Sequence, residues 1–196
     1  MAKIKNIYSL RELHDLLEKH QDLSKLILFL DIDLTIVQSN EKDEDVIIEP
    51  EITKRMFDFL HKNKVWYTFV TARFHEIVCN EKKRNSGISE IRENIEALYP
   101  VFEQVGIDCS EFKNNKDEEL TVIKNDKNIT VGIMYKGILL GNKKGQIIKH
   151  FRIQYGLDKS HPHVIFIDDL DRYLKSVQRY VPEAIVVKRF IPEIEV

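Results

Sequence analysis

Two carboxylates, spaced two residues apart, close the most apolar run of the chain. LILFLDIDLTIV, residues 26–37, reads as a fully buried strand ended by Asp31 and Asp33. The theme returns near the other end, where HVIFIDD, residues 163–169, is an apolar strand ended by Asp168 and Asp169. Between them VWYTFVTAR carries its strand pattern to Thr71, and GNKKGQII sets Lys143 and Lys144 at the start of a helical pattern. Hard oxygen donors gathered without His or Cys suit Mg²⁺ rather than zinc or copper. A carboxylate beside such an ion can accept a phosphoryl group, and an aspartyl-phosphate splits one displacement into two. On this reading Asp31 is the acceptor. Asp33, crowded by a like charge, is expected to have a raised pKa and to serve as general acid, then base. Thr71 would hydrogen-bond the phosphoryl group and a lysine would neutralise what remains. Phosphoryl transfer is mostly positioning plus electrostatics, so this short cast is sufficient.

Positioning these groups requires elements that share an edge. A capping-box pattern, Ser9 with Glu12, opens a predicted helix over 9–20, and a strand over 26–30 follows. The polar stretch QSNEKDEDV reads as a loop, mobile over the site, before a helix that begins after Pro50. Residues 74–104 read as helical with a break at 85–87, and VGIDCSEF starts a short strand. Alternating runs between 121 and 140 predict a β-hairpin outside the main sheet. A helix from Gly145, the strand over 164–167, another helix and a last strand in AIVVKRF complete the order. Strands alternating with helices, the strands almost wholly apolar, define an α/β class: a Rossmann-like parallel sheet with helices on both faces. Ligands in such sheets bind outside the carboxyl ends of the strands. Asp31, Asp33, Thr71, Asp168 and Asp169 are therefore expected at one rim.

FLDIDLT, FVTAR, KKG and VIFIDD, in that order across residues 26–171, resemble the four motifs of the haloacid dehalogenase (HAD) superfamily, mostly phosphatases and phosphotransferases. TARFHE, VGIDCSEF and GIMYKGILLGNKKG are further similar to a bacterial branch of that superfamily. The resemblance implies Asp31 as nucleophile, Asp33 as general acid/base, Thr71 as phosphate-binding hydroxyl and Lys144, directly before Gly145, as the motif lysine. It implies Mg²⁺ held by Asp31, the backbone carbonyl of Asp33, Asp168 and Asp169, with Asp169 the preferred direct ligand. The chain departs from the pattern at Leu34, where Gly is frequent, and at Tyr173, where an acid or Asn is often found. Superfamily members take specificity from cap insertions. Here residues 74–140, within a single domain of 1–196, form the candidate small cap or helical and hairpin insertion.

The chain has 196 residues, with 30 basic against 32 acidic side chains for a net charge of −2. That balance argues against a nucleic-acid or membrane-surface protein driven by charge. Two cysteines, Cys79 and Cys109, make neither a disulfide framework nor a zinc site, and a reducing, cytoplasmic setting is expected. No apolar run has membrane-spanning length, and the first twenty residues lack a signal-peptide core. His161 and His163 read as structural, Trp66 and Tyr67 as core or cap contacts, and Arg73 as a surface ion pair rather than a substrate contact. The expected partner is a phosphorylated substrate, small molecule or phosphoprotein; oligomeric state is not encoded legibly. Transfer to an acceptor other than water reads the same as hydrolysis. Two rival readings stand beside the phosphatase: an idle HAD-like interaction module, and a receiver-like domain, which would need its acceptor Asp after a middle strand that here ends in Thr71.

Overall fold

The computed structural model describes residues 4–78, 80–107 and 120–190, with Asn85 described by its backbone only. Ten strands and eight helices alternate along these residues. They are β1 (Lys5–Ile7), α1 (Leu10–Glu18), β2 (Leu26–Leu30), β3 (Val37–Ser39), β4 (Asp45–Ile47), α2 (Pro50–Lys62), β5 (Trp66–Thr71), α3 (His75–Val78) and α4 (Glu81–Glu96). There follow α5 (Tyr99–Glu103), β6 (Thr121–Lys124), β7 (Thr130–Tyr135), β8 (Ile138–Leu140), α6 (Lys144–Gln154), α7 (Leu157–Ser160), β9 (His163–Asp168), α8 (Asp171–Tyr180) and β10 (Ile185–Arg189). Eight strands form one sheet in the order β1-β10-β9-β2-β5-β8-β7-β6. The first six of that order run parallel, and β7 and β6 are added antiparallel. The α/β class and the mainly parallel sheet expected from the sequence are both present.

Strand β2 shows why its sequence is continuously apolar. Leu26, Leu28 and Leu30 face one hydrophobic cluster, shared with Leu13, Leu17, Met56 and Phe57 of α1 and α2. Ile27 and Phe29 face the other, shared with Ile147, Phe151, Leu174 and Val177 of α6 and α8. Side chains alternate across a strand, so a strand covered on both faces has no polar positions to offer. Strand β9 divides the same way, Ile165 and Ile167 to the first cluster, Val164 and Phe166 to the second. Trp66 stacks on Phe151 with ring centroids 5.8 Å apart, and Tyr67 packs against Phe57, both core contacts as expected. His163 meets His20 edge-on. Among the described residues no helix is long and apolar enough to cross a membrane.

Three expectations are corrected. The hairpin around 129–140 is not outside the sheet: β8 pairs in parallel with β5, Val70 opposite Leu139 and Thr71 opposite Leu140, and carries β7 and β6 with it. Its tight turn has Lys136 and Gly137 both at positive φ (45° and 80°), the backbone twist that two-residue hairpins favour. The helical break lies before Glu81 and after Glu96, not at 85–87, and α4 runs unbroken through Gly87. That glycine serves close packing, since a Cβ there would meet Ile77 Cγ2 at 2.8 Å. The acidic loop after β2 is instead an antiparallel hairpin, β3 with β4. In α1 the Ser9 cap is as expected, while Glu12 accepts from the Tyr8 N–H. Most of the VGIDCSEF strand expectation, and both cysteines, lie outside the described residues.

Candidate functional site

The chain leaves β2 toward β5 on one side and returns through α6 to β9 on the other. The crevice between the carboxyl ends of β2 and β9 is therefore the point where the winding reverses, the usual place for a ligand in an open α/β sheet. Asp31 stands there directly after β2. Its N–H donates to Ile167 O at 2.9 Å, a last rung tying the two strands together. Its Oδ1 accepts from the Ile32 N–H at 2.8 Å. Next, Ile32 O accepts from the N–H groups of Thr35, Ile36 and Val37, a single closed turn that presents Asp33 and Leu34. Leu34 has φ 55° and is 47% exposed, so the position that departs from the superfamily's frequent glycine keeps a left-handed backbone.

Lys144 is the first residue of α6 and is wholly buried. Its Nζ lies 2.7 Å from Asp31 Oδ1 and donates to Asp168 Oδ2 at 2.6 Å, with the Tyr173 ring centroid 4.4 Å away. Tyr173 thus stands where the resemblance implies an acid or Asn, and its ring lies against the lysine instead. Glycine at 145 is what lets the lysine reach: a Cβ there would stand 2.3 Å from Ser176 O of α8. Lys143, exposed at the helix cap, is not part of this group. Asp168 Oδ1 also accepts from the Leu170 N–H at 2.8 Å, fixing the turn into α8. Carboxylate oxygens of Asp31, Asp168 and Asp169 all lie within 4.8 Å of one another. Asp171, by contrast, pairs with Lys188 at 2.9 Å.

Burial sets the electrostatics of this group. It pushes the Asp31 carboxyl up to about 7, against the opposing pull of Lys144 and with Asp168 adding to the rise. Asp168 is raised chiefly by burial, and Asp169 by burial and then by Asp31. Burial works against the charge of Lys144, but Asp31 and Asp168 outweigh it and raise its pKa. Three carboxylates against one ammonium leave a deficit of positive charge, all of it facing oxygen donors. Such a set fits a small hard dication.

Asp33 and Thr71 stand beside this group rather than in it. The Asp33 carboxylate is outside the three-carboxylate set and accepts from Thr71 Oγ1 at 3.3 Å and from Arg73. The resemblance assigns Asp33 to the metal through its carbonyl, on which this side-chain pairing does not bear. Arg73 and Asp45 are what the sequence reading missed. Arg73 does form an ion pair, but with a site residue, and Asp45 of β4 joins it at 3.3 Å. Forty residues separate Arg73 from Asp33, and no local pattern marks such a pair; the only signal was its place two residues past Thr71. A second oxygen and nitrogen group, His14, Asp15 and Glu18, lies on the outer face of α1.

The fold and site thus define an α/β protein with an acid and lysine cluster at the switch point of a mainly parallel sheet. No family model matches the chain, and no curated protein or solved structure does either.

Proposed function

We propose that the protein is a Mg²⁺-dependent phosphatase of the haloacid dehalogenase kind. The observation that carries this reading is the buried ammonium of Lys144 between Asp31 and Asp168, with Asp169 alongside, at the reversal point of the sheet. Asp31, Asp168 and Asp169 would hold Mg²⁺, which when bound offsets the surplus negative charge and that of an incoming phosphate. Both hydrogen-bonding contacts described for Asp31 fall on Oδ1, which directs Oδ2 to phosphorus. The Oδ2–P bond forms as the bond from phosphorus to the leaving oxygen breaks, and Asp33 gives that oxygen its proton. Asp33 then takes a proton from water as the water oxygen attacks phosphorus, releasing phosphate and restoring Asp31. In this reading Thr71 turns its hydroxyl, which otherwise donates to Asp33 Oδ2, to a phosphoryl oxygen, and Lys144 keeps Asp31 oriented throughout.

The test is hydrolysis of 4-nitrophenyl phosphate between pH 5 and 8, with Mg²⁺ or with chelator. Wild type is expected to turn over only with the metal. Asp31→Asn is expected to lose turnover while keeping its fold by circular dichroism. Retained activity in a clean Asp31→Asn preparation removes Asp31 as nucleophile. Absence of both turnover and Mg²⁺ binding in wild type would favour the idle interaction module.

A further inference from the structure

Arg73 follows β5 in the turn toward α3, two residues past Thr71. Its guanidinium meets Asp33 as a fork: Nε donates to Oδ1 at 2.9 Å and to Oδ2 at 3.1 Å, and Nη2 to Oδ1 at 2.5 Å. Paired N–H donors fix both the position and the plane of a carboxylate, which the point charge of a lysine does not. The far side of the fork, Nη1 and Nη2, reaches Asp45 of β4 at 3.3 to 3.4 Å. The Arg73 backbone N–H donates to Thr71 Oγ1 at 3.1 Å, and that hydroxyl donates to Asp33 Oδ2 at 3.3 Å. Ordinary surface pairs hold two mobile side chains by one contact and contribute little. Here one arginine, only 21% exposed, binds two acids from separate elements and also anchors the threonine.

We infer that Arg73 is a positioning residue for Asp33, steered in turn by Asp45 of the β3–β4 hairpin. The inference rests on the phosphatase reading, in which Asp33 moves the proton. Oδ1 is held by the two shortest bonds of the fork, so Oδ2, with the longer ones, is the oxygen that meets the leaving group and then the water. The Asp33 side chain stays 46% exposed, so the fork leaves it accessible to a leaving group and to water. Without the fork the carboxylate keeps only the long bond from Thr71, its orientation loosens, and proton delivery suffers while phosphorus attack by Asp31 does not.

Substrates that differ in their need for that proton separate this role from a structural one. 4-Nitrophenolate departs without protonation; the alkoxide of glycerol 2-phosphate does not. The experiment compares kcat/KM, which reports the step in which the leaving group departs, on both substrates with Mg²⁺. Wild type, Arg73→Ala, Arg73→Lys, Asp33→Asn and the Asp33→Asn/Arg73→Ala double variant are measured, with a melting curve for each. The Arg73 variants are expected to lose at least about tenfold more on glycerol 2-phosphate than on 4-nitrophenyl phosphate, a fraction of what a general acid contributes. Added to Asp33→Asn, Arg73→Ala should cost nothing further. Equal losses on the two substrates, no loss, or losses that multiply with Asp33→Asn overturn the inference, whatever the melting curves show. Wild type that hydrolyses neither substrate overturns the phosphatase reading instead, and this inference with it.

Discussion

Asp31 lies between one ammonium and two carboxylates, and burial decides how protons divide among them. Folding lifts its carboxyl from the ordinary carboxylate range to about 7. Between roughly pH 4 and 7 the folded protein therefore holds a proton that the unfolded chain has released. Unfolding in that window gives the proton up, so the contribution of this group to stability falls as pH rises through it. Metal-free wild type is expected to lose more melting temperature between pH 5 and 8 than Asp31→Asn does; parallel curves would remove the buried proton. The same linkage makes Mg²⁺ affinity climb over this range, because the ion must displace that proton. At this scale the sequence reading looked to like-charge crowding at Asp33 for a raised carboxyl and did not anticipate that burial would lift Asp31.

Helix α6 is the element on which the site depends, because its first residue is Lys144. Two glycine contacts seat it. Gly145 lies against the Ser176 carbonyl of α8, and Ile147 lies against Gly132 of β7, where a Cβ would stand 2.6 Å away. Gly145→Ala puts a methyl group into backbone that has no room to yield, so α6 must back away from α8. The expected cost is about 1–3 kcal/mol, the range found for overpacked contacts, read from chemical denaturation. The same displacement withdraws the lysine from Asp31, so hydrolysis should fall beyond what the lost stability explains. Unchanged stability would mean that the helices separate freely and that the glycine does not set the reach of Lys144.

Contacts that span the whole chain tie the two ends of the fold to its centre. Arg189 of β10 is 2% exposed, and its Nη2 donates to Glu49 Oε2 at 2.8 Å, an oxygen that also accepts from the Leu10 N–H that opens α1. Its Nε is already among the buried atoms without a hydrogen-bond partner. Glu49→Ala would leave a buried cation with even less, a loss of about 3 kcal/mol given the usual cost of breaking a buried pair. Glu49→Gln, which keeps the acceptor oxygen, is expected to lose less. Thermal and denaturant melts of the two variants decide it; equal, small losses would show the pair to be solvated.

The strands that bear the chemistry were legible because a strand buried on both faces must be apolar at every position. The acids that end β2 and β9 were then placed at one rim by the direction of the strands alone. What the sequence could not determine is which elements become neighbours. The 121–140 runs carry the alternation of strands wherever they pair, and only the tertiary structure set β8 against β5. Glycine 87 reads locally as a breaker, and its role appears only when Ile77 is packed against it. The resemblance favoured Lys144 over Lys143 by its place before Gly145, but only the packing of α6 on α8 shows the lysine buried between Asp31 and Asp168. Local pattern fixes which faces must be buried, whereas pairings such as Arg73 with Asp33 are decided by the folded backbone, which brings distant turns of the chain to one edge.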